Sequence, residues 1–92
     1  MIRRHLLITG RVQNVFYRDW MVEQAAALGI DGWVRNRADG SVEAVVAGAS
    51  ELVETLIVRC REGSPASRVA EVIVTPDESG AVYERFEKRA TI

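Results

Sequence analysis

The alternation of strand-like and helix-like stretches is the feature that most constrains the fold of this sequence. Residues alternate in two stretches, three further short stretches also read as strands, and apolar residues follow helical spacing in two others. The predicted strands are residues 4–11, 30–37, 41–48, 69–75 and about 82–88, and the predicted helices are residues 19–28 and 50–61. The elements therefore follow the order β-α-β-β-α-β, with one further strand at the end.

Turn and cap residues support these boundaries. Gly29 follows the first predicted helix in a position typical of a helix end, and Asp39–Gly40 is a strong turn signal between two strands. Ser50 is the predicted N-cap of the second helix, and Gly63-Ser64-Pro65 ends that helix. The order is that of a ferredoxin-like α+β sandwich. We therefore predict an antiparallel sheet with two helices on one face, plus a short C-terminal strand.

Length and composition predict a single globular domain over residues 1–92, because 48% of the residues are hydrophobic. The net charge of −1 argues against general binding to nucleic acid. No apolar run is long enough for a membrane span, and the charged, alternating N-terminus is unlike a signal peptide. We expect a cytoplasmic protein with no membrane attachment, and a monomer by default.

Charge is distributed unevenly along the chain. Residues 1–37 hold six arginines and three acidic residues, a balance of +3. The remainder holds six basic and ten acidic residues, a balance of −4. Chance and a local anion site in the first half both explain this asymmetry, and charge alone does not decide between them.

Several common chemistries lack the residues that they require. His5 is the only histidine and lies in a predicted strand, while Cys60, the only cysteine, lies on the apolar side of a predicted helix. These residues disfavour a nucleophile–histidine triad, a zinc site and an internal disulfide. Lys88 is the only lysine, and no glycine-rich loop ends in Gly-Lys-Ser/Thr, which excludes a Walker-type nucleotide loop.

One segment remains a candidate for binding chemistry. It runs from a strand end through a turn to a helix start and reads Gly10-Arg11-Val12-Gln13-Asn14-Val15-Phe16-Tyr17-Arg18. Backbone N–H groups at such a junction favour anions, as does the helix N-terminus. The guanidinium of Arg18 can match two phosphate oxygens. The competing interpretation of these residues is an ordinary strand–helix turn with a solvated arginine.

This segment resembles the first motif of the acylphosphatase family, Gly-Arg-Val-Gln-Gly-Val-x-Phe-Arg. Asn14 stands in place of a glycine, and Tyr17 occupies the aromatic position. The family's second motif, Gly-Trp-Val-x-Asn-x-x-x-Gly, is matched in full by residues 32–40, and residues 63–69 resemble a third recurrent stretch. The resemblance covers nearly the whole chain, in register and without insertions.

The resemblance implies hydrolysis of a small acyl phosphate to a carboxylate and inorganic phosphate, without a metal or an organic cofactor. It implies that Arg18 and the loop amides bind the phosphoryl group and that Asn36 orients the attacking water. The implied catalytic residues are Arg18 and Asn36, and the implied phosphate-binding loop consists of Gln13, Asn14, Val15, Phe16, Tyr17 and Arg18. The competing functional class is a non-catalytic ferredoxin-like module that binds a ligand or a partner, with the loop idle.

Asn14 is where this chain departs from the first motif. A glycine at that position indicates a backbone with positive φ or a close approach to the phosphate. Asparagine is the next best residue for the left-handed conformation. We therefore predict that Asn14 adopts positive φ, while its effect on rate and affinity stays open.

Overall fold

The computed structural model describes all 92 residues, Met1 to Ile92. The elements in chain order are β1 (Ile2–Arg11), α1 (Tyr17–Leu28), β2 (Asp31–Asn36), β3 (Val42–Gly48), α2 (Ser50–Glu62), β4 (Arg68–Pro76) and β5 (Phe86–Lys88). The predicted order of strands and helices is therefore confirmed. Neither helix is long and apolar enough to cross a membrane.

The five strands form one sheet in the order β4-β1-β3-β2-β5. β1 pairs with β3 and β4, and β2 pairs with β3, all antiparallel. β5 adds to the other edge of β2 in the parallel direction, so the sheet is mixed rather than wholly antiparallel. The chain reaches this edge only after crossing from β4 at the opposite edge.

The core lies between the two helices and one face of the sheet. Along β3 the residues Val42, Ala44 and Val46 are fully buried and belong to this core. The alternate residues Glu43, Val45 and Ala47 point to the far face, the side of the sheet away from the helices. The period of two in the sequence is thus the alternation of the strand between these two faces.

Most element boundaries differ from the sequence prediction by one or two residues, and three differences have a clear structural reason. α1 begins at Tyr17, two residues earlier than predicted, because Phe16 caps the helix and its carbonyl accepts the N–H of Trp20 at 3.0 Å. The N-cap of α2 is Ala49, so Ser50 is the first helical residue and its side chain makes no capping hydrogen bond. The last strand, predicted over about 82–88, spans only Phe86–Lys88.

That strand is shorter than predicted for a geometric reason. β5 pairs in parallel with β2, and Phe86 lies opposite Gly32. In this register residue 82 would lie opposite residue 28, which is still in α1, so β2 offers it no partner. Val82 is accordingly 88% exposed and lies outside the sheet.

The segment after β5 continues along β2 to its end. Arg89 donates its N–H to the carbonyl of Val34 at 2.8 Å, and Ile92 donates to the carbonyl of Asn36 at 3.2 Å. Ala38 in turn donates to the carbonyl of Ile92 at 2.7 Å. The end of β2 is therefore held between β3 on one side and this segment on the other.

We predict that two glycines with positive φ differ strongly in their tolerance of alanine. A Cβ at Gly32, with φ +136°, would overlap the carbonyl oxygen of Val45, whereas a Cβ at Gly40, with φ +93°, would meet no atom within 4 Å. Gly40→Ala should lower the free energy of unfolding by about 1–2 kcal/mol through backbone strain. Gly32→Ala adds overpacking and should lower it by roughly 3–5 kcal/mol. Urea unfolding measures both, and equal losses would contradict the packing account.

Candidate functional site

A cavity of about 430 Å³ opens where the loop between β1 and α1 meets the ends of β2 and β5. Its lining combines loop residues, the first turn of α1 and one residue from each of the two strands. The lining residues are Val12, Asn14, Phe16, Tyr17, Arg18, Asp19, Asn36 and Lys88. The structure therefore brings Arg18 and Asn36, the two residues implied as catalytic, into one cavity.

The loop that forms one wall of this cavity has an unusual backbone. Asn14 has φ 61° and Phe16 has φ 60°, and these are the only residues other than glycine with positive φ. The predicted left-handed conformation of Asn14 is thus present. Left-handed residues on either side of Val15 curl the chain, and a curled run of this kind turns successive backbone N–H groups toward one concave side.

Hydrophobic anchors hold the loop in this shape. Val12 and Tyr17 are each 1% exposed within the core, and Val15 packs against it. The hydroxyl of Tyr17 donates a hydrogen bond of 2.8 Å to the carbonyl of Cys60 in α2. The side chain of Tyr17 is therefore buried and hydrogen-bonded inside the core. Only its backbone N–H can face a ligand.

Gln13 fixes the loop against the neighbouring hairpin. Its Nε2 donates to the carbonyl of Arg37 at 2.7 Å and to the carbonyl of Ser41 at 2.8 Å. Both carbonyls belong to the β2–β3 turn, directly after Asn36. Neither Gln13 nor Val15 lines the cavity. Their side chains hold the loop in place, so only the backbone amides of these two residues can bind a ligand.

Arg18 is the second residue of α1 and keeps most of its hydrogen-bonding capacity. Its only hydrogen bond runs from Nη1 to the carbonyl of Arg89, and at 3.4 Å it is long. A guanidinium carries five N–H donors in a planar fork. Arg18 therefore presents several unused donors at the cavity, beside the N-terminus of a helix that itself favours anions.

Asn36, the last residue of β2, brings a buried acceptor to the opposite wall. Asn36 is 9% exposed, and its side-chain Oδ1 is buried without a hydrogen-bond partner. An unpaired buried polar atom typically costs about 1–3 kcal/mol, and most buried polar atoms in proteins are paired. Because Asn36 lines the cavity, a water molecule or a ligand that donates a hydrogen bond to this acceptor would satisfy it.

Lys88 lines the cavity, although no sequence motif pointed to it. Its Nζ lies 2.8 Å from Oδ1 of Asp19 in the first turn of α1. Hydrogen bonding and charge attraction from Lys88 hold the pKa of Asp19 below its ordinary value. The only available signal was that Lys88 is the sole lysine, because its place in the cavity depends on the parallel register of β5.

The cavity is cationic on balance. Two of its side chains, Arg18 and Lys88, are positively charged, and one, Asp19, is negatively charged. Because Lys88 neutralises Asp19, the guanidinium of Arg18 is the charge left to meet an incoming anion. This arrangement fits the anion-site interpretation of the positive first half of the chain.

The thiol of Cys60 and the hydroxyl of Tyr17, two potential nucleophiles near this region, are held neutral. Burial is the main cause that raises the pKa of the Cys60 thiol to about 12 and the pKa of the Tyr17 hydroxyl well above its usual value. Cys60 is fully buried in the core, as the sequence predicted. Neither residue offers an anionic nucleophile at neutral pH.

His5 lies on the far face of the sheet, away from the cavity. Its Nε2 is 2.7 Å from Glu43 Oε2, and Arg35 Nε is 2.7 Å from Glu43 Oε1. Burial opposes ionisation of Glu43, but the hydrogen bonds from His5 and Arg35 outweigh it and hold its pKa below the ordinary value. This cluster is an internally neutralised network, consistent with a structural role for His5.

Fold and cavity together define a class: a ferredoxin-like domain whose first loop and second strand enclose a cationic cavity. A family model described as Acylphosphatase matches residues 4–88. The chain therefore belongs to the acylphosphatase family, as its motifs predicted.

Sequence relatives match over nearly the full length. The chain is 56% identical over 91 residues to a protein of Rhizorhabdus wittichii named Acylphosphatase. This alignment covers 99% of this chain and 91% of that protein. It is 50% identical over 95 residues to a protein of the same name from Acidiphilium cryptum, covering 99% of each.

Solved structures agree with the family and the fold. The crystal structure of acylphosphatase from Bacillus subtilis superimposes with a TM-score of 0.92 at 31% identity, covering 97% of this chain and 99% of that chain. Full-length HypF, in a phosphate- and nucleotide-bound form, matches with a TM-score of 0.84 at 26% identity. That match covers 98% of this chain and 12% of HypF.

Proposed function

We propose that this protein is an enzyme that hydrolyses the carboxyl–phosphate bond of small acyl phosphates, releasing a carboxylate and inorganic phosphate. The observation that carries the proposal is a juxtaposition. Arg18, with unused guanidinium donors, and Asn36, with a buried and unpartnered Oδ1, line one cavity beside a curled loop of backbone amides. Membership of the acylphosphatase family supports it.

In this proposal the loop and Arg18 hold the phosphoryl group. The curled amides from Gln13 to Arg18 form the cradle for the phosphate oxygens, and the start of α1 adds partial positive charge. The fork of Arg18 binds two oxygens and stabilises the charge that develops on them. Phosphoryl transfer depends mainly on such positioning and charge stabilisation, so few other groups are needed.

Asn36 is proposed to position the attacking water. A water that donates one hydrogen bond to Oδ1 has its lone pairs free to point at a phosphorus atom held by the loop. The amide oxygen does not remove a proton, so its role is orientation rather than base catalysis. The buried position of Asn36, with its backbone fixed on both sides, makes this orientation rigid.

The bond changes balance without another catalytic group. The water oxygen attacks phosphorus, and the bond from phosphorus to the acyl oxygen breaks with its electron pair leaving on the carboxylate. A carboxylate is a good leaving group and needs little acid assistance. The phosphate oxygens accept the proton of the water. Because Tyr17 and Cys60 stay neutral and buried, direct attack by water is favoured over a covalent intermediate.

Several finer features belong to the same proposal. We propose a cytoplasmic monomer that uses no metal and no organic cofactor and that does not bind nucleic acid. The net charge of −1 supports the absence of nucleic-acid binding. A carboxylate leaving group, which needs little assistance, supports a reaction without a metal.

A non-catalytic binding module is the alternative, and the match to a small part of HypF is the observation closest to it. The relatives from Rhizorhabdus wittichii and Acidiphilium cryptum favour the enzyme, since they are matched over 91% and 99% of their own length. Turnover of a simple acyl phosphate separates the two functions.

The first prediction tests the activity through Arg18. Purified protein should hydrolyse acetyl and benzoyl phosphate at neutral pH, with the rate unchanged by EDTA. Arg18→Ala should lower kcat/KM by roughly 10²–10³, and Arg18→Lys should lose nearly as much because lysine lacks the planar fork. Arg61→Ala, at an exposed arginine of α2 outside the cavity, is the matched control.

Retention of more than half the wild-type rate by Arg18→Ala would show that Arg18 is not catalytic. Absence of turnover by the wild type on any acyl phosphate would favour the binding module. A strict requirement for an added divalent metal would reject the mechanism without a metal.

The second prediction concerns Asn36. Asn36→Ala should lower kcat strongly while competitive inhibition by inorganic phosphate stays nearly constant, because the partner of Oδ1 is water rather than phosphate. Circular dichroism checks that the variant folds. Normal kcat with weakened phosphate inhibition would instead assign Asn36 to the phosphate cradle.

The third prediction concerns Asn14, whose φ of 61° is the conformation that glycine adopts with least strain. Asn14→Gly should keep or raise kcat/KM and tighten phosphate inhibition. Asn14→Val should nearly abolish both, because a β-branched residue resists positive φ. A large fall in activity for Asn14→Gly, with the fold intact, would show that the Asn14 side chain itself contributes to the site.

A further inference from the structure

The side chain of Phe16 is the one feature of the cavity that the proposed chemistry leaves unused. It is 81% exposed, although it is a large hydrophobic side chain. Its backbone has φ 60°, a conformation in which a bulky residue is a genuine outlier. Strained residues of this kind cluster at functional sites, where the surrounding structure holds them in place.

Phe16 also supplies the only exposed apolar surface of this cavity. Val12 and Tyr17 are the other apolar lining residues, and each is 1% exposed. The remaining lining residues are polar or charged. The cavity is therefore polar inside and carries one aromatic ring that faces solvent.

Exposed apolar side chains elsewhere do not share this location. The other large ones are Met1, Leu52, Val58, Ile73, Val82 and Ile92, and none of them lines the cavity. Isolated exposed apolar residues are normal on a protein surface. Phe16 differs because it combines exposure, backbone strain and a place beside the amides that receive the substrate.

An acyl phosphate held by this loop must direct its acyl group away from the amides. The acyl carbon is separated from phosphorus by a single bridging oxygen, so the acyl group stays within reach of the residues around the bound phosphoryl group. In the proposed mechanism Arg18 and Asn36 engage phosphate and water, and Asp19 and Lys88 pair with each other. The ring of Phe16 is then the apolar surface left for the acyl substituent.

We propose that the Phe16 side chain is a specificity-determining contact for the acyl group and favours acyl phosphates with apolar or aromatic substituents. This inference rests on the proposed function, since it concerns the substrate of that same site. One aromatic contact at an exposed position corresponds to a preference of roughly three- to tenfold.

The test compares kcat/KM for benzoyl phosphate with kcat/KM for acetyl phosphate. The ratio of the two is the readout, because any general effect of a loop substitution on phosphate handling cancels in it. The ratio should fall about three- to tenfold in Phe16→Ala and Phe16→Gly and stay near the wild-type value in Phe16→Tyr. Val82→Ala, at a residue that is 88% exposed but lies outside the cavity, should not change it.

The outcomes are distinguishable. Turnover of both substrates with an unchanged ratio in Phe16→Ala and Phe16→Gly would overturn the inference alone. An equal fall of the ratio in Phe16→Tyr would also overturn it, because the ring is still present there. Failure of the wild type to hydrolyse either substrate would reject the proposed function and this inference with it.

Discussion

The two hydrogen bonds donated by Gln13 are the interaction on which the arrangement of the site depends. They tie the loop before α1 to the carbonyls of Arg37 and Ser41 at the turn between β2 and β3. The loop leads into Arg18, and the turn begins directly after Asn36. The other links between the two walls are the packing of α1 on the sheet and two contacts to the segment beside β2, from Asp19 to Lys88 and from Arg18 to Arg89.

The loop keeps a costly conformation because its neighbours are anchored. Two left-handed residues, Asn14 and Phe16, flank a valine that packs on the core. Each left-handed residue costs about 1–2 kcal/mol. Burial of Val12 and Tyr17 at the two ends offsets this cost and leaves the curled amides as the low-energy form of the loop. In the proposed mechanism, the cradle is therefore formed before the anion binds.

Charge at the cavity is balanced by a contact that crosses the fold. Asp19 occupies the first turn of α1, where a carboxylate is favourable for the helix but unfavourable for an incoming anion. The 2.8 Å contact with Lys88 neutralises it. This contact exists because β5 returns to the edge of β2, so the last strand completes the electrostatics of a site built mainly from the first half of the chain.

Local signals predicted the elements, whereas the details of the site required the three-dimensional pairing. The alternation along Val42–Ala47 and the cap at Gly29 follow from period and residue type, and the structure has both. The motif predicted positive φ at Asn14 because glycine and asparagine share that preference. No comparable rule predicts positive φ at Phe16, since aromatic residues rarely adopt it.

Other features depend on contacts that no local pattern encodes. Serine is a favourable N-cap residue, yet Ala49 and not Ser50 is the N-cap of α2. β3 ends at Gly48 and the helix begins at Ser50, which leaves Ala49 in the capping position. The length of β5 and the role of Lys88 follow from the parallel register with β2. The unpartnered oxygen of Asn36 is a property of its surroundings, and a single sequence does not reveal it.

The most direct test of the central claim, that the curled loop is the anion cradle, is an NMR titration of the backbone amides with inorganic phosphate. The account predicts that the amide resonances of residues 14–18 shift together and saturate with one dissociation constant, while those of His5 and Glu43 on the far face stay in place. Saturable shifts centred on the far-face cluster of His5, Arg35 and Glu43, with the loop amides unchanged, would contradict the account.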